Sequence, residues 1–218
     1  SPLVAVGGDD GCVRLFDYGS RRALPPVRFS APCRSLCWCS RASPPTVVAG
    51  FADGVVRLLS CTSLGPVLRA AAKPHVLPVT AVALSPDGSI LATGSEDSTV
   101  FFFATDGNTT LAPLAFCRVA PRVCSSLSWS RAGTELVVFG NDGLIVELQL
   151  PPDGRVRSDG ASYEARLSAR QVARASASVP FGTHDSTDPG RVALLDNDFP
   201  GCVSIAGLSQ AAPPMDRL

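Results

Sequence analysis

The sequence has no excess charge of either sign. Its 19 Lys+Arg offset 19 Asp+Glu, and the formal net charge is zero. The balance holds locally too. Residues 1–150 carry 12 basic and 11 acidic side chains, and the rest carry 7 and 8. That removes the electrostatic footprint of a nucleic-acid binder and the polybasic stretch of a membrane-surface protein. Lysine is almost absent: Lys73 is the lone one, the other basic residues being Arg, which reads as genome compositional bias. Histidine is scarce, with His75 and His184 only. The eight Cys contain no C-x-x-C pair, so zinc-ligand spacing is missing. Cys37 and Cys39 flank Trp38 in an alternating stretch and read as small apolar strand residues. No apolar run is long enough to span a bilayer, and no segment reads as a signal peptide, so neither membrane insertion nor secretion is expected. A reduced, cytoplasmic setting fits the cysteine usage. Neither G-x-x-x-x-G-K-[ST] nor G-x-G-x-x-G occurs, so nucleotide binding lacks support. The chain opens at Ser1 inside a strand-like run and reads as a piece of something longer.

What is present is apolar residues at 45%, with 19 Gly and 19 Pro. A sizeable core of many short elements joined by turns is expected. Four segments repeat. They are Gly7-Gly8-Asp9-Asp10-Gly11-Cys12-Val13-Arg14-Leu15-Phe16-Asp17, Gly50-Phe51-Ala52-Asp53-Gly54-Val55-Val56-Arg57-Leu58-Leu59-Ser60, Gly94-Ser95-Glu96-Asp97-Ser98-Thr99-Val100-Phe101-Phe102-Phe103-Ala104, and Phe139-Gly140-Asn141-Asp142-Gly143-Leu144-Ile145-Val146-Glu147-Leu148. Asp10, Asp53, Asp97 and Asp142 are spaced 43, 44 and 45 residues apart. A second set, Trp38, Leu84 and Trp129, keeps step at 46 and 45. Each unit offers short apolar runs such as Val79 to Leu84, a Ser85-Pro86-Asp87-Gly88 type turn, β-branched runs such as Ile90–Gly94, and an Asp-Gly or Asp-Ser hairpin. A weaker fourth strand follows, as at Val27-Arg28-Phe29, Val67-Leu68-Arg69 and Ala115-Phe116-Cys117. Four antiparallel strands every 40–45 residues or so predict an all-β chain of propeller blades.

The run Val79 to Val100, with Ser85-Pro86-Asp87-Gly88 and Gly94-Ser95-Glu96-Asp97-Ser98-Thr99-Val100, resembles a WD-repeat blade almost position by position. The resemblance covers residues 1–150 and implies an incomplete propeller of about three and a half four-stranded blades there. Where the family has Trp of its Trp-Asp pair, this chain has Phe16, Leu59, Phe103 or Leu148. Pro74-His75 through Phe101-Phe102-Phe103 is further similar to the large cilia- and flagella-associated WD-repeat proteins, as is Pro151-Pro152-Asp153 with Tyr163-Glu164 beyond. That likeness implies a structural component of the axoneme in cilia or flagella. It would sit in the tether that links inner-arm dynein to the doublet microtubule. Its partners would be tether components, tubulin or another WD-repeat subunit. The competing reading is a general WD-repeat adaptor, such as a ubiquitin-ligase substrate receptor or a trafficking scaffold. No catalytic constellation is visible, so no enzyme and no cofactor is expected.

The four repeat carboxylates could be taken for a metal ring, but Asp in a hairpin more simply bonds nearby backbone N–H groups. The resemblance adds a bracing role, in which the third blade has His75, Thr93 and Asp97 in place while Phe103 lacks an indole N–H. His75 has no nucleophile tied to it in sequence, so a buried His paired with Asp97 is favoured over a general base. Phe101, Phe102 and Phe103 read as core on both sides of a covered strand. The resemblance also places the connections between blades and the Asp-Gly turns on one face, which would hold Arg34, Glu96, Arg122 and Asn141 as candidate partner contacts. Arg34 and Arg122 lead, because Arg is enriched among interface anchors. Residues 151–218 read as an irregular extension, either a degenerate blade or a linker, and any helix between Tyr163 and Val179 would be weakly amphipathic. An open arc exposes strand edges. Expressed alone, this 218-residue chain should therefore be oligomeric or poorly soluble; a sharp monomeric peak with cooperative unfolding would contradict that.

Overall fold

The computed structural model describes residues 2–39, 42–119, 123–151, 164–165 and 167–174. Among the described residues sixteen strands build four antiparallel sheets, and there is no helix. Sheet 1 contains β1 (Leu3–Gly7), β2 (Cys12–Asp17), β3 (Arg22–Ala23) and β4 (Val27–Arg28), the last two both pairing with β2. Sheet 2 runs in order through β5 (Cys33–Cys39), β6 (Thr46–Phe51), β7 (Val56–Thr62) and β8 (Gly65–Ala72). Sheet 3 does the same with β9 (Val79–Leu84), β10 (Ile90–Ser95), β11 (Thr99–Ala104) and β12 (Ala112–Arg118). Sheet 4 has β13 (Cys124–Trp129), β14 (Glu135–Gly140), β15 (Leu144–Gln149) and β16 (Ser168–Arg174). This is a propeller arc of WD type, open at its ends among the described residues.

Each sheet is a simple meander because its hairpin turns supply the backbone conformations that tight reversal needs. Gly11, Gly54 and Gly143 follow the repeat carboxylates at φ of 77°, 78° and 78°. In sheet 3 the same position is Ser98 at φ 64°. Glycine takes this left-handed conformation without steric cost. The innermost strand of each complete sheet carries a register shift near its start or at the facing residue, at Cys33/Ser35, Gly94/Ser95 and Cys124/Ser126. Such bulges add twist, which lets successive sheets fan around an axis.

The sheets stack face to face. β1 packs on β5, β5 on β9, and β9 on β13, so the inner ends converge. Three apolar layers fill the gaps. Val13, Cys33, Phe51 and Leu59, with Leu15 and Val47, lie between sheets 1 and 2. Val48, Leu58, Val79, Leu91 and Phe103 lie between sheets 2 and 3. Phe102, Trp129, Leu136, Val146 and Leu148 lie between sheets 3 and 4. Successive strand residues point to opposite faces. Phe102 and Phe103, both at most 2% exposed, therefore enter different layers. Phe101 packs against the layer that holds Phe103.

The sequence reading bounded the clear blades at residue 150, left residues 151–218 as a degenerate blade or a linker, and held that any helix between Tyr163 and Val179 would be weakly amphipathic. The structure instead puts a strand at Ser168–Arg174, paired with β15 from Leu144↔Arg174 to Gln149↔Ser168. On its way there the chain touches sheet 3: Ala165 N–H donates to the Phe116 carbonyl at 2.7 Å, and Phe116 bridges Glu164 in parallel. An outermost strand is held chiefly by its backbone ladder, so the missing apolar alternation in Ser168–Arg174 is no bar. Asp153, Tyr163, Val192–Leu195 and Cys202–Ile205, which the sequence reading also weighed, lie outside the described residues.

Gly54 tests the stacking. A β-carbon there would stand 2.2 Å from the His75 carbonyl oxygen, in the connection to the next sheet. Gly107 shares a positive φ of 74° but has nothing nearer than 3.7 Å. Gly54→Ala should cost at least about 1 kcal/mol more than Gly107→Ala in urea unfolding, since both pay the conformational strain and only one pays the overlap. Equal losses would contradict this placement.

Candidate functional site

The four repeat carboxylates occupy equivalent turns of separate sheets, and each accepts the backbone N–H two residues on. The donors are Cys12 to Asp10 at 3.1 Å, Val55 to Asp53 at 3.1 Å, Thr99 to Asp97 at 3.0 Å and Leu144 to Asp142 at 3.1 Å. These Asx turns fix the hairpins. Among the described residues no cluster of three or more His, Cys, Asp or Glu is placed to hold a metal ion.

In sheet 3 the structure brings His75, Thr93 and Asp97 together. His75, 1% exposed, lies in the connection from β8 to β9. Its Nδ1–H donates to Asp97 Oδ2 at 3.2 Å and lies 3.0 Å from Thr99 Oγ1. The carboxylate only accepts, so the proton is on Nδ1; Nε2 of the neutral ring then accepts from Thr93 Oγ1 at 2.9 Å. Asp97 Oδ2 also accepts Val76 N–H at 3.2 Å, and Thr99 Oγ1–H donates to Oδ1 at 2.5 Å. The network ties the β8–β9 connection to the β10–β11 turn. Burial holds the His75 pKa below its ordinary value despite the Asp97 charge. For Asp97 burial pushes upward, but the Thr99 hydroxyl, the adjoining His75 imidazole and two backbone N–H groups outweigh it, and the pKa is lowered.

Sheets 1 and 2 solve the same problem with arginine, which the sequence reading missed. Arg57 Nη2–H donates to Asp53 Oδ2 at 2.8 Å, and its guanidinium lies 4.6 Å from the Phe29 ring centre and 4.3 Å from that of Phe51. By the repeat, Phe29 occupies the position of His75 and Arg57 that of Phe101. Sheet 3 thus pairs an imidazole from the connection with its own phenyl ring, His75 and Phe101 meeting edge-on at 6.5 Å. Sheet 2 exchanges the two, with a phenyl ring from the connection over its own cation. In sheet 1 Arg14 pairs with Asp10 in the same manner but at the surface, holding the Asp10 carboxyl well below its usual range. The signal was legible as Asp-Gly-x-x-Arg in Asp10–Arg14 and Asp53–Arg57. In sheet 4 the corresponding position is Val146, and Asp142 is exposed.

The turns and the connections share one end of the arc. Ala52 N–H donates to Pro32 at 2.9 Å, Glu96 N–H to Pro78 at 3.2 Å and Asn141 N–H to Val123 at 3.1 Å. One repeated backbone bond therefore sets each turn beside the connection into its sheet. Glu96 and Asn141 are exposed there, and Arg34 Nη1–H donates to Asp9 of the first turn at 3.1 Å. Arg122 lies outside the described residues. The same end carries Val76, 82% exposed, and Leu77, 46% exposed, on the loop that His75 anchors. They were not singled out from sequence, because an apolar pair in a connection looks like core. Burial raises the thiol pKa of Cys39, Cys117 and Cys124 to about 12.

The relationships agree with this geometry. Residues 69–103 match the WD domain, G-beta repeat family. The chain is 35% identical over 170 residues to mouse Cilia- and flagella-associated protein 44, and 32% identical over 170 residues to its Chlamydomonas reinhardtii namesake. Those matches cover 68% and 67% of this chain but only 9% and 10% of the relatives, so the chain spans about a tenth of their length. Mouse WD repeat-containing protein 90 is 30% identical over 158 residues, 70% of this chain and 8% of that protein. A chain in the crystal structure of the mitotic checkpoint complex superposes with a TM-score of 0.59 at 19% identity, covering 77% of this chain and 49% of that one, and shares the fold.

Two outcomes test the brace. Asp97→Ala should cost roughly 1–3 kcal/mol, because buried donors lose their acceptor. Asp9→Ala, which loses one exposed ion pair, should cost under about 1 kcal/mol. Similar losses in urea unfolding would reject the bracing role. The second outcome concerns pH. His75 is held neutral in the fold with its pKa below the unfolded value of 6.5. The unfolded chain therefore binds more protons below that pH, and stability must fall as pH drops beneath about 6.5. The melting temperature of His75→Gln should fall less steeply than that of the native chain between about pH 6.5 and pH 5; parallel curves would show that His75 is not held neutral.

Proposed function

This chain belongs to the WD-repeat β-propeller proteins, and from that premise we propose that it forms part of a non-catalytic protein–protein interaction scaffold in the cilium or flagellum. The observation that carries the reading is the similarity to Cilia- and flagella-associated protein 44 in both a mouse and an alga. The finer assignment is to the axonemal cytoskeleton, in the assembly that tethers inner-arm dynein to the doublet. The partners would be other proteins: tether components, tubulin or a second WD-repeat subunit. No nucleic acid or membrane insertion is required.

A scaffold needs a rigid surface, and loops held by a stiff framework are where proteins usually present contacts. The end that carries the turns and connections suits that role. Arg34, Glu96 and Asn141 supply polar contacts along it, with Arg122 as a fourth candidate. Val76 and Leu77 supply an apolar centre on the loop anchored by His75. Interfaces concentrate their energy in a few such residues ringed by polar ones.

The experiment is incorporation of the full-length protein into axonemes that resist salt extraction. Arg34→Glu with Arg122→Glu should weaken retention while leaving folding intact, and Val76→Glu should do the same. Wild-type retention of these variants would move the docking surface elsewhere. Absence of the native protein from axonemes would overturn the ciliary assignment itself.

A further inference from the structure

The outer edges of the sheets are not alike. In sheet 3 that edge is taken. Glu164 lies parallel to Phe116 of β12, and Ala165 N–H donates to the Phe116 carbonyl at 2.7 Å. Arg118 Nε approaches Glu164 Oε1 at 3.5 Å. Ala165, 7% exposed, joins the apolar layer that holds Cys117. An acidic residue and a small one thus dock together, the first by charge and the second by a main-chain bond and burial. In sheet 1 the outer edge is broken between β3 and β4 by Leu24-Pro25-Pro26, and proline has no N–H to offer.

The outer strand of sheet 2 has neither feature. β8 runs unbroken for 8 residues, and among the described residues only β7 pairs with it. The ladder fixes which groups face outward. Phe51 N–H donates to the Val55 carbonyl at 3.0 Å, which turns Val55 toward β6. Bonding direction alternates along an antiparallel strand, so Arg57 also turns to β6. Ala71, paired with Arg57, is left with its N–H and C=O on the free edge.

The repeat makes Ala71 the counterpart of Phe116, because Arg57 stands at the position of Phe101, and Phe101 pairs with Phe116. Two residues on, Lys73 stands where sheet 3 has Arg118. Ala71 and Lys73 are exposed, and no described carboxylate pairs with Lys73. Ala72 packs against the layer between sheets 2 and 3, as Cys117 packs between sheets 3 and 4. Both outer strands carry a bulge at the same place, opposite Leu58/Leu59 and Phe102/Phe103. Bulges twist many edges out of use, yet β12 takes Glu164 and Ala165 in spite of its own. Val67 and Leu68 add apolar surface along β8, at 41% and 45% exposure.

We infer that the outer edge of β8 is a docking site for an extended segment of a partner protein, parallel to β8, with an acidic residue followed by a small one. The carboxylate pairs with Lys73. The N–H of the small residue donates to the Ala71 carbonyl, and its side chain closes the outer mouth between sheets 2 and 3. Main-chain bonds give such strand addition its affinity, and side-chain positions its selectivity. The contact already made on β12 and the charge of Lys73 select this occupant over a helix or a basic surface. The inference does not rest on docking at the end that carries the Asp turns.

The test uses the full-length protein, tethered at low density, and a fluorescent synthetic peptide with the sequence of residues 162–168 and blocked ends. Saturable binding is expected. Ala71→Pro removes an outward N–H but no bond to β7, and proline tolerates such an edge position. It should weaken the peptide about fivefold or more, the worth of a main-chain hydrogen bond, with circular dichroism unchanged. Lys73→Glu should weaken it about threefold, as an exposed ion pair is lost, and should bind the Glu164→Lys peptide better than the native protein does. Loss of fold could not produce that reversal, so it decides alone if Ala71→Pro does not fold. The inference is overturned by absence of saturable binding, by unchanged binding to folded Ala71→Pro, or by failure of the charge reversal.

Discussion

Everything in this arc depends on three glycines that let one sheet lie flat on the inner strand of the next. Gly7, Gly50 and Gly94 each fall at or next to the end of the strand before the Asp turn. A β-carbon at these sites would meet Cys33 Sγ at 2.5 Å, Val79 Cγ1 at 2.6 Å and Cys124 Sγ at 2.3 Å. A four-stranded sheet cannot bury both its faces by itself, so its stability comes from neighbours. Close approach at the inner end closes the apolar layers and sets further bonds within reach. Val82 N–H donates to Ser35 Oγ at 3.1 Å, and the Thr80 hydroxyl to the Cys124 carbonyl. A gap of even one ångström would forfeit much of the dispersion energy across each layer.

The second constraint acts at the rim. Where a connection returns from the outer strand of one sheet to the inner strand of the next, its backbone must be held against the Asp turn. Sheet 3 does this with a neutral, buried imidazole, and sheet 2 with a guanidinium packed against two touching phenyl rings. The two devices differ in kind. The imidazole answers to pH, whereas the guanidinium stays charged throughout the accessible range. On the proposed scaffold reading, the loop that His75 ties to the Asp97 turn would present exposed Val76 and Leu77 to a partner with little ordering cost.

The fold was legible because two sets of anchors shared one period. Asp10, Asp53, Asp97 and Asp142 mark turns, and Trp38, Leu84 and Trp129 mark inner strands; the physical needs of the two are independent. The meeting of His75, Thr93 and Asp97 was legible through resemblance. For Arg57 the sequence offered only the Asp-Gly-x-x-Arg spacing to Asp53; its packing was not legible, because a lone cation in an alternating strand looks solvated until the ring of Phe29, from the preceding connection, is seen against it. Ser168–Arg174 was illegible for another reason. An outermost strand needs only a partner's backbone, so Ser-Ala-Arg-Gln-Val-Ala-Arg carries no pattern to read. Leu59, Phe103 and Leu148 show the converse: the family's Trp can change identity while the site stays buried, at 0%, 2% and 1% exposure.

The glycine contact is tested most directly by a double-mutant cycle between Gly94 and Cys124. Gly94→Ala drives a methyl into the Cys124 sulfur and should cost roughly 1–3 kcal/mol. Cys124→Ala removes that sulfur and leaves a small void. Residues in contact couple, whereas distant ones add. The double variant should therefore be more stable than the sum of the single losses predicts, by at least about 1 kcal/mol in urea unfolding. Strictly additive losses would mean that the sheets do not meet at this glycine, and the stacking on which the arc rests would be wrong.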